Sequence, residues 1–367
     1  MENLFNSTYK DRVVLVTGHT GFKGSWLVYW LVQMGAKVIG YSLEAPTTPN
    51  HIELLKLNVD SVIGDIRDEE KLDNTFENNK PEIVFHLAAQ PLVRFSYTDP
   101  VNTYETNVMG TLKIFEACKK HDVKAIVNIT SDKAYENKEW ERGYKENDPL
   151  GGYDPYSSSK GCADLLANSY RNSFFNPDEY KKLHNTLLAS CRAGNVIGGG
   201  DWAKDRLISD IMIAASKGKK VIIRNPQATR PWQHVLEPLS GYLQVGQRLL
   251  QEKVEYGDAW NFGPSDEGST TVEDVVKKVK DHWNNFEYEF NKDLNQPHEA
   301  RLLKLDCAKA NKLLNWREVW DSKRTFEKTV KWYKSFYEKQ KVLTNFDLQD
   351  YIKDAYSKGL SWASNNK

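Results

Sequence analysis

The stretch Val13-Val14-Leu15-Val16-Thr17-Gly18-His19-Thr20-Gly21-Phe22-Lys23-Gly24 runs an apolar segment straight into three glycines spaced three apart. An unbroken apolar run ending in glycine predicts a strand buried on both faces. The glycines suit a backbone that turns tightly and lets a pyrophosphate approach the free N–H groups of a helix N-terminus. Such a triplet is a weak signal alone, and its surroundings strengthen it. Trp26–Met34 has the spacing of an amphipathic helix, and Lys37-Val38-Ile39-Gly40-Tyr41 reads as a second strand, completing a βαβ unit of ordinary length.

The alternation continues through the first half of the chain. Strands are expected at Ser61–Asp65, Glu82–Ala88, Ala125–Thr130 and Thr186–Cys191, with helices at Glu69–Asn78, Asn102–His121 and Tyr156–Phe174. This pattern predicts an α/β fold, a doubly wound parallel sheet covered on both faces by helices. Ligands of such sheets bind beyond the carboxyl ends of the strands. Asp65, the run Leu87-Ala88-Ala89-Gln90 and the run Thr130-Ser131-Asp132-Lys133 all fall at those ends. After Ala193 the alternation loosens, which suggests a dinucleotide-binding domain over 1–192 and a smaller substrate-binding lobe over 193–367, interleaved or not. Trp332, Phe336 and Tyr337, at helical spacing, read as packing residues of a late helix.

Fifty basic and fifty acidic residues in 367 leave no net charge and no nucleic-acid footprint. The first twelve residues are polar and no apolar run is long enough to span a bilayer, so neither a leader nor a membrane anchor is expected. Four scattered cysteines without a Cys-x-x-Cys pair suit reduced thiols in the cytoplasm. The eight histidines make no His-x-x-x-His pair, and no metal is expected.

The Gly-x-x-Gly-x-x-Gly form resembles that of the short-chain dehydrogenase/reductases, whose chemistry rests on a downstream Tyr-x-x-x-Lys. Tyr156-Ser157-Ser158-Ser159-Lys160 supplies that pair. Its two functional members lie one helical turn apart on one face. A tyrosine with an ordinary pKa of about 10 needs neighbouring positive charge to act as a base at neutral pH. Longer strings narrow the resemblance: Gly18–Leu27, Thr130–Lys133, Ser190–Trp202 and Arg230–Glu237. Over roughly residues 10–320 the chain resembles the extended members of that family that act on nucleotide-activated sugars, and among them most closely the CDP-glucose 4,6-dehydratases.

The resemblance implies a Rossmann domain, bound NAD, CDP-glucose or a related NDP-hexose as substrate, and a homodimer formed through the Asn102–His121 and Tyr156–Phe174 helices. It implies oxidation at C4 of the hexose, loss of water across C5–C6, and return of the hydride to C6. Tyr156 would be the base for the C4 hydroxyl, with Lys160 holding the nicotinamide ribose. Ser131 would join the site, Asp132 would protonate the departing C6 oxygen and Lys133 would take the C5 proton. The dTDP-glucose dehydratases carry Thr, Asp and Glu at these three positions, so Lys133 departs from them. Cofactor contacts would come from Gly18, Thr20, Gly21, Phe22, Lys23, Gly24, Asp65, Ile66, Leu87, Ala88, Ala89 and Gln90, beside Tyr156 and Lys160.

The second strand ends Gly40-Tyr41-Ser42-Leu43-Glu44, without the acidic residue that usually holds the adenosine ribose and without an arginine for a 2′-phosphate. Arg230 is the best diphosphate clamp, since its guanidinium fork matches phosphate oxygens. Arg94, Asn195, Arg206 and His234 are further substrate candidates, and Trp202 is expected to pack. Two rivals stand beside the dehydratase: a 4-epimerase, which needs no acid and base for elimination, and a non-catalytic NAD(H)-binding regulator, in which the Tyr/Lys pair would be lost.

Overall fold

The computed structural model describes residues 1–223, 226–265, 269–290 and 302–364. A parallel sheet forms the centre, its strands β1 (Val13–Thr17), β2 (Lys37–Ser42), β3 (Asp60–Ile63), β4 (Ile83–His86), β5 (Ala125–Ile129), β6 (Leu187–Ala193) and β7 (Ala259–Phe262) arranged in the order β7-β6-β5-β4-β1-β2-β3. The chain runs outward from β1 through β2 to β3, then returns to β4 on the opposite side of β1. Val14–Thr17 therefore pairs with Val38–Tyr41 on one side and with Ile83–His86 on the other. The strand ends at this reversal form the crevice in which such folds bind ligands. The doubly wound sheet is as the sequence predicts. Its seventh strand, however, comes from beyond residue 193 and pairs with β6 from Ala259↔Ser190 to Phe262↔Ala193.

The helix after the glycine turn, Phe22–Gln33, is not amphipathic as its spacing suggested. Every side chain from Gly24 to Leu31 is buried. The segment after Leu343 covers the face that would otherwise meet water: Trp30 packs edge-on to Tyr351 and Trp362, at 5.9 and 5.5 Å. His51 ties the same layers together. Its Nδ1 meets Ser25 Oγ at 2.8 Å and its Nε2 meets Thr344 Oγ1 at 2.7 Å.

The single helix expected over Asn102–His121 is broken into Pro100–Tyr104, a π-helical turn at Glu105–Gly110 and Thr111–Lys120. π turns of this kind often mark functional positions. Here the turn carries Asn107 inward to the end of β4. The helix Ser322–Lys339 packs as expected, with Trp332 and Phe336 meeting Trp202 at 5.8 and 5.3 Å.

Candidate active site

The β1–helix turn is built so that no side chain fills it. Gly18 has φ +73°, and a Cβ there would lie 2.8 Å from the backbone nitrogen of Ala88. A Cβ on Gly24 would lie 2.1 Å from the Gly18 carbonyl oxygen. The turn thus needs glycine for both its dihedral angle and its close approaches. Thr17 Oγ1, at the end of β1, accepts from the N–H groups of Leu87 and Ala88 at 3.2 and 3.1 Å and locks the two strand ends together. Thr20 meets Ser42 at 2.9 Å and donates to the Leu43 carbonyl at 3.0 Å. Ser42 is also joined to His19 Nδ1 at 2.8 Å. At the end of β3, Asp65 is paired with Arg67 at 2.6 Å, and the guanidinium holds its carboxyl below the usual range. Ile66 packs against Gly110.

Gln90, on the far side of the crevice, is fixed by Asn107. Its N–H donates to Asn107 Oδ1 at 2.8 Å, and Asn107 Nδ2 donates back to the Gln90 carbonyl at 3.1 Å. Asn107 also donates to Ser159 Oγ at 2.8 Å, joining this edge to the helix that carries Tyr156.

That helix, Pro155–Ser173, starts from a strong signal. Asp154 caps it by accepting the Ser157 N–H at 2.9 Å, and Pro155 takes the first helical position. Tyr156 is therefore set in the first turn and Lys160 in the second, with both side chains buried. Burial, reinforced by the charge of Asp132 and opposed by a hydrogen bond with Ser131 and the charge of Arg206, leaves the Tyr156 phenol pushed up to about 12. Arg206, from beyond the first half of the chain, thus contributes a positive charge that acts on Tyr156. Burial holds the Lys160 ammonium down to about 8, against the opposing influence of Asp164. Its Nζ donates to the Ile129 carbonyl at 3.3 Å. Lys23, also near 8 because of burial and the Lys160 and Arg206 charges, lies over the Tyr242 ring at 5.7 Å.

After β5 the chain makes one tight turn, Asp132–Ala134, capped by Ser131, whose Oγ accepts the Lys133 N–H at 3.2 Å. The Asp132 carboxyl is buried beside Gly194 and Pro231. Burial raises its pKa, while the charges of Lys133 and Arg230 and the hydroxyl of Ser131 lower it. A buried acid of this kind is equipped to hold a proton and give it up on demand. Lys133 is half-buried at the same turn.

Arg206 and Arg230 are brought to this cluster, the first within electrostatic reach of Tyr156 and the second of Asp132. Arg206 is held by Asp201 at 2.5 Å. Arg230 lies on the strand Thr229–Pro231, and Asn195 follows Gly194 directly. Arg94 stands on the short helix Val93–Thr98 after Gln90. His234 does not reach the cleft. The strand Gln233–His234 pairs with Val196–Ile197, and the ring lies fully buried against Trp320 at 4.8 Å and Trp26 at 5.8 Å. Burial depresses its pKa to about 3, so it is a neutral packing residue.

The model of the family described as GDP-mannose 4,6 dehydratase matches residues 15–331. The chain belongs to this family, one of the extended short-chain dehydrogenase/reductases. It is 55% identical to a CDP-glucose 4,6-dehydratase of Salmonella typhimurium, over 94% of this chain and 97% of that protein. A putative UDP-glucose 4-epimerase of Methanocaldococcus jannaschii is 30% identical over 88% of this chain and 99% of its own. The crystal structure of dTDP-glucose 4,6-dehydratase from Bacillus anthracis in complex with NAD superposes with a TM-score of 0.72 at 24% identity, covering 89% of this chain and 98% of that one.

Family membership gives a context to three residues that the sequence reading passed over. Asn107 ties Gln90 to the Tyr156 helix, and its only trace in the sequence is the Asn-x-x-Gly-Thr string. Tyr242, on the helix Leu236–Leu250, faces Lys23 from 219 residues away, a contact with no local signature. Asp164 lies one turn beyond Lys160 and is bonded to Thr130 and Arg192.

Proposed function

We propose that this protein is an NAD-dependent hydro-lyase that converts CDP-glucose to CDP-4-keto-6-deoxyglucose and water. The observation that carries the reading is the convergence of Tyr156, Ser131 and a buried Asp132 beside Lys133 at the end of β5. An epimerase requires the first part of that arrangement and has no use for the second. The 55% identity to a CDP-glucose 4,6-dehydratase over nearly the full length of both chains supports the same substrate.

The glycine turn fits NAD, because the helix Phe22–Gln33 is entered at Gly21, where a Cβ would meet only the Gly18 carbonyl oxygen within 4 Å, at 3.3 Å, so a pyrophosphate has room to approach the helix N-terminus. Gly18, Thr20, Gly21, Phe22, Lys23 and Gly24 would hold the cofactor, with Asp65 and Ile66 on the adenine side and Leu87, Ala88, Ala89, Gln90 and Lys160 toward the nicotinamide. NAD, when bound, supplies the hydride acceptor for C4 and the donor for C6. Tyr156, as its phenolate, takes the C4 hydroxyl proton and becomes the phenol, the phenolate being favoured by the charge of Arg206 and the hydroxyl of Ser131. Lys133 takes the C5 proton, made acidic by the C4 ketone, and Asp132 gives its proton to the departing C6 oxygen. Arg230, Asn195, Arg206 and Arg94 orient the nucleotide diphosphate.

A homodimer through the helices around Val101, Met109 and Leu165 is part of the proposal. These residues are 66%, 47% and 54% exposed, and Pro100, Tyr104, Val108 and Cys162 line an apolar hollow beside them. A cytoplasmic location accords with four free cysteines; no helix among the described residues is long and apolar enough to cross a membrane. Incubation with NAD and a panel of NDP-hexoses tests the activity: CDP-glucose should lose the mass of one water. Isomerisation without mass change would instead establish an epimerase.

A further inference from the structure

Lys160 and Asp164 lie one helical turn apart and grip consecutive residues of the strand end that leads into the Ser131-Asp132-Lys133 turn. Lys160 Nζ donates to the Ile129 carbonyl at 3.3 Å, and Asp164 Oδ2 accepts the Thr130 hydroxyl at 2.6 Å. Asp164 is 2% exposed, and a carboxylate buried this deeply is costly unless its oxygens are fully used. They are: Oδ2 also accepts Arg192 Nε at 2.9 Å, and Oδ1 accepts Arg192 NH2 at 3.1 Å. Arg192 is braced from behind, donating through NH1 to Tyr135 Oη at 2.7 Å and to the Glu146 carbonyl at 2.9 Å. Thr130 is pinned on its other side, since its N–H donates to the Cys191 carbonyl at 2.9 Å.

We propose that Asp164 is a positioning residue for the reaction, a single carboxylate that holds the Ser131–Lys133 turn in register with the Tyr156 helix through Thr130 and places its negative charge one helical turn from Lys160. The charged and titratable groups around Lys160 favour this assignment. Lys23, from the glycine-turn helix, repels it, and His86, from β4, is held neutral by burial with a pKa near 3. Asp164 is the group that opposes the burial of the Lys160 ammonium. Asp164 itself faces Arg192 from β6 and Arg171 from its own helix. The pairing with Arg192 alone would serve stability; the bond to Thr130 and the proximity to Lys160 direct the carboxylate at the site.

The proposal rests on Lys160 acting as the reading above assigns, and the test separates the two. Kcat is measured against pH for the NAD-loaded enzyme with saturating CDP-glucose, with folding checked by near-ultraviolet circular dichroism. Thr130→Val leaves the Asp164–Arg192 pair intact but removes the hydroxyl bonded to the Asp164 carboxylate; kcat should fall about tenfold, the size expected for losing a hydrogen bond to a charged group, with KM nearly unchanged. Asp164→Asn should move the alkaline limb of the kcat profile to lower pH by about one unit, because Lys160 loses its proton more readily, and Asp164→Glu should restore part of the shift. A folded Asp164→Asn enzyme whose limb stays in place overturns the proposal. If Asp164→Asn does not fold, Thr130→Val decides alone: full kcat at every pH overturns the proposal, and the tenfold loss at constant KM upholds it. Lys160→Met with normal turnover would overturn the reading of the site and this proposal together; an inactive Lys160→Met beside an unmoved limb in Asp164→Asn overturns this proposal only.

Discussion

Arg206, held by Asp201 at 2.5 Å, places its charge within electrostatic reach of the Tyr156 phenol. The phenol needs that help, because burial is the largest influence on it and, even with Ser131 and Arg206 opposing, its pKa stands at about 12. Replacing Arg206 by Met removes a cation that stabilises the phenolate, so the pKa of Tyr156 should rise. The acid limb of the kcat profile should then move to higher pH, and turnover at neutral pH should fall by about tenfold for each unit of that movement. A pH profile superimposable on that of the parent enzyme would assign Arg206 to substrate binding alone. Tyr156→Phe, which removes the base itself, should cost on the order of 10²–10⁴-fold in kcat.

Lys133→Met tests elimination separately from oxidation. Oxidation at C4 remains available to Tyr156, while loss of water should stall. The near-ultraviolet absorbance of reduced nicotinamide should build up on mixing with CDP-glucose as product formation collapses. In D₂O the parent enzyme should place deuterium at C5 of the product. Undiminished product formation by the Met variant would remove Lys133 from the role of base.

Gly24→Ala probes the turn. Its new Cβ would lie 2.1 Å from the Gly18 carbonyl oxygen, 2.8 Å from the Gly18 carbonyl carbon and 2.9 Å from the His19 Cα, all backbone with little freedom to retreat. Overpacking of this severity costs roughly 1–3 kcal/mol. Calorimetric titration should show NAD affinity reduced by about 10–100-fold in the same measure.

Glu237 should make stability depend on pH. It is fully buried on the helix Leu236–Leu250, where its oxygens accept the N–H groups of Val319 and Trp320 at 3.0 and 2.8 Å and the hydroxyl of Tyr351 at 2.8 Å. Burial outweighs those bonds and raises its pKa to about 8, so the folded protein holds a proton there that the unfolded chain releases near 4.5. The resulting stabilisation is complete below about 4.5 and is lost as pH rises toward 8. Glu237→Gln should flatten this part of the curve of melting temperature against pH. It should also lower stability by roughly 1–3 kcal/mol, because the amide nitrogen cannot accept from Val319.

Much of this protein is legible in its sequence because the signals are local. Val13–Val16 is short, apolar at every position and followed at once by Thr17 and glycine, which predicts a strand buried on both faces. Gly18, Gly21 and Gly24 answer to the geometry of one turn. Asp154-Pro155 starts the helix that sets Tyr156 and Lys160 one turn apart, and the turn after β5 follows from its strand. Tertiary structure decided what depends on residues far apart in the chain. His234, polar and beside a promising arginine, was consigned to packing when Gln233–His234 paired with Val196–Ile197 and turned the ring into an aromatic core. The spacing of Trp26–Met34 suggested a solvent face, and only the docking of Tyr351 and Trp362 buried it. Likewise, the charge of Arg206 acts on Tyr156 from 50 positions along, a neighbourhood with no local signature. Helix periods and turn chemistry are set within a few residues, whereas burial and electrostatic neighbourhood belong to the folded whole.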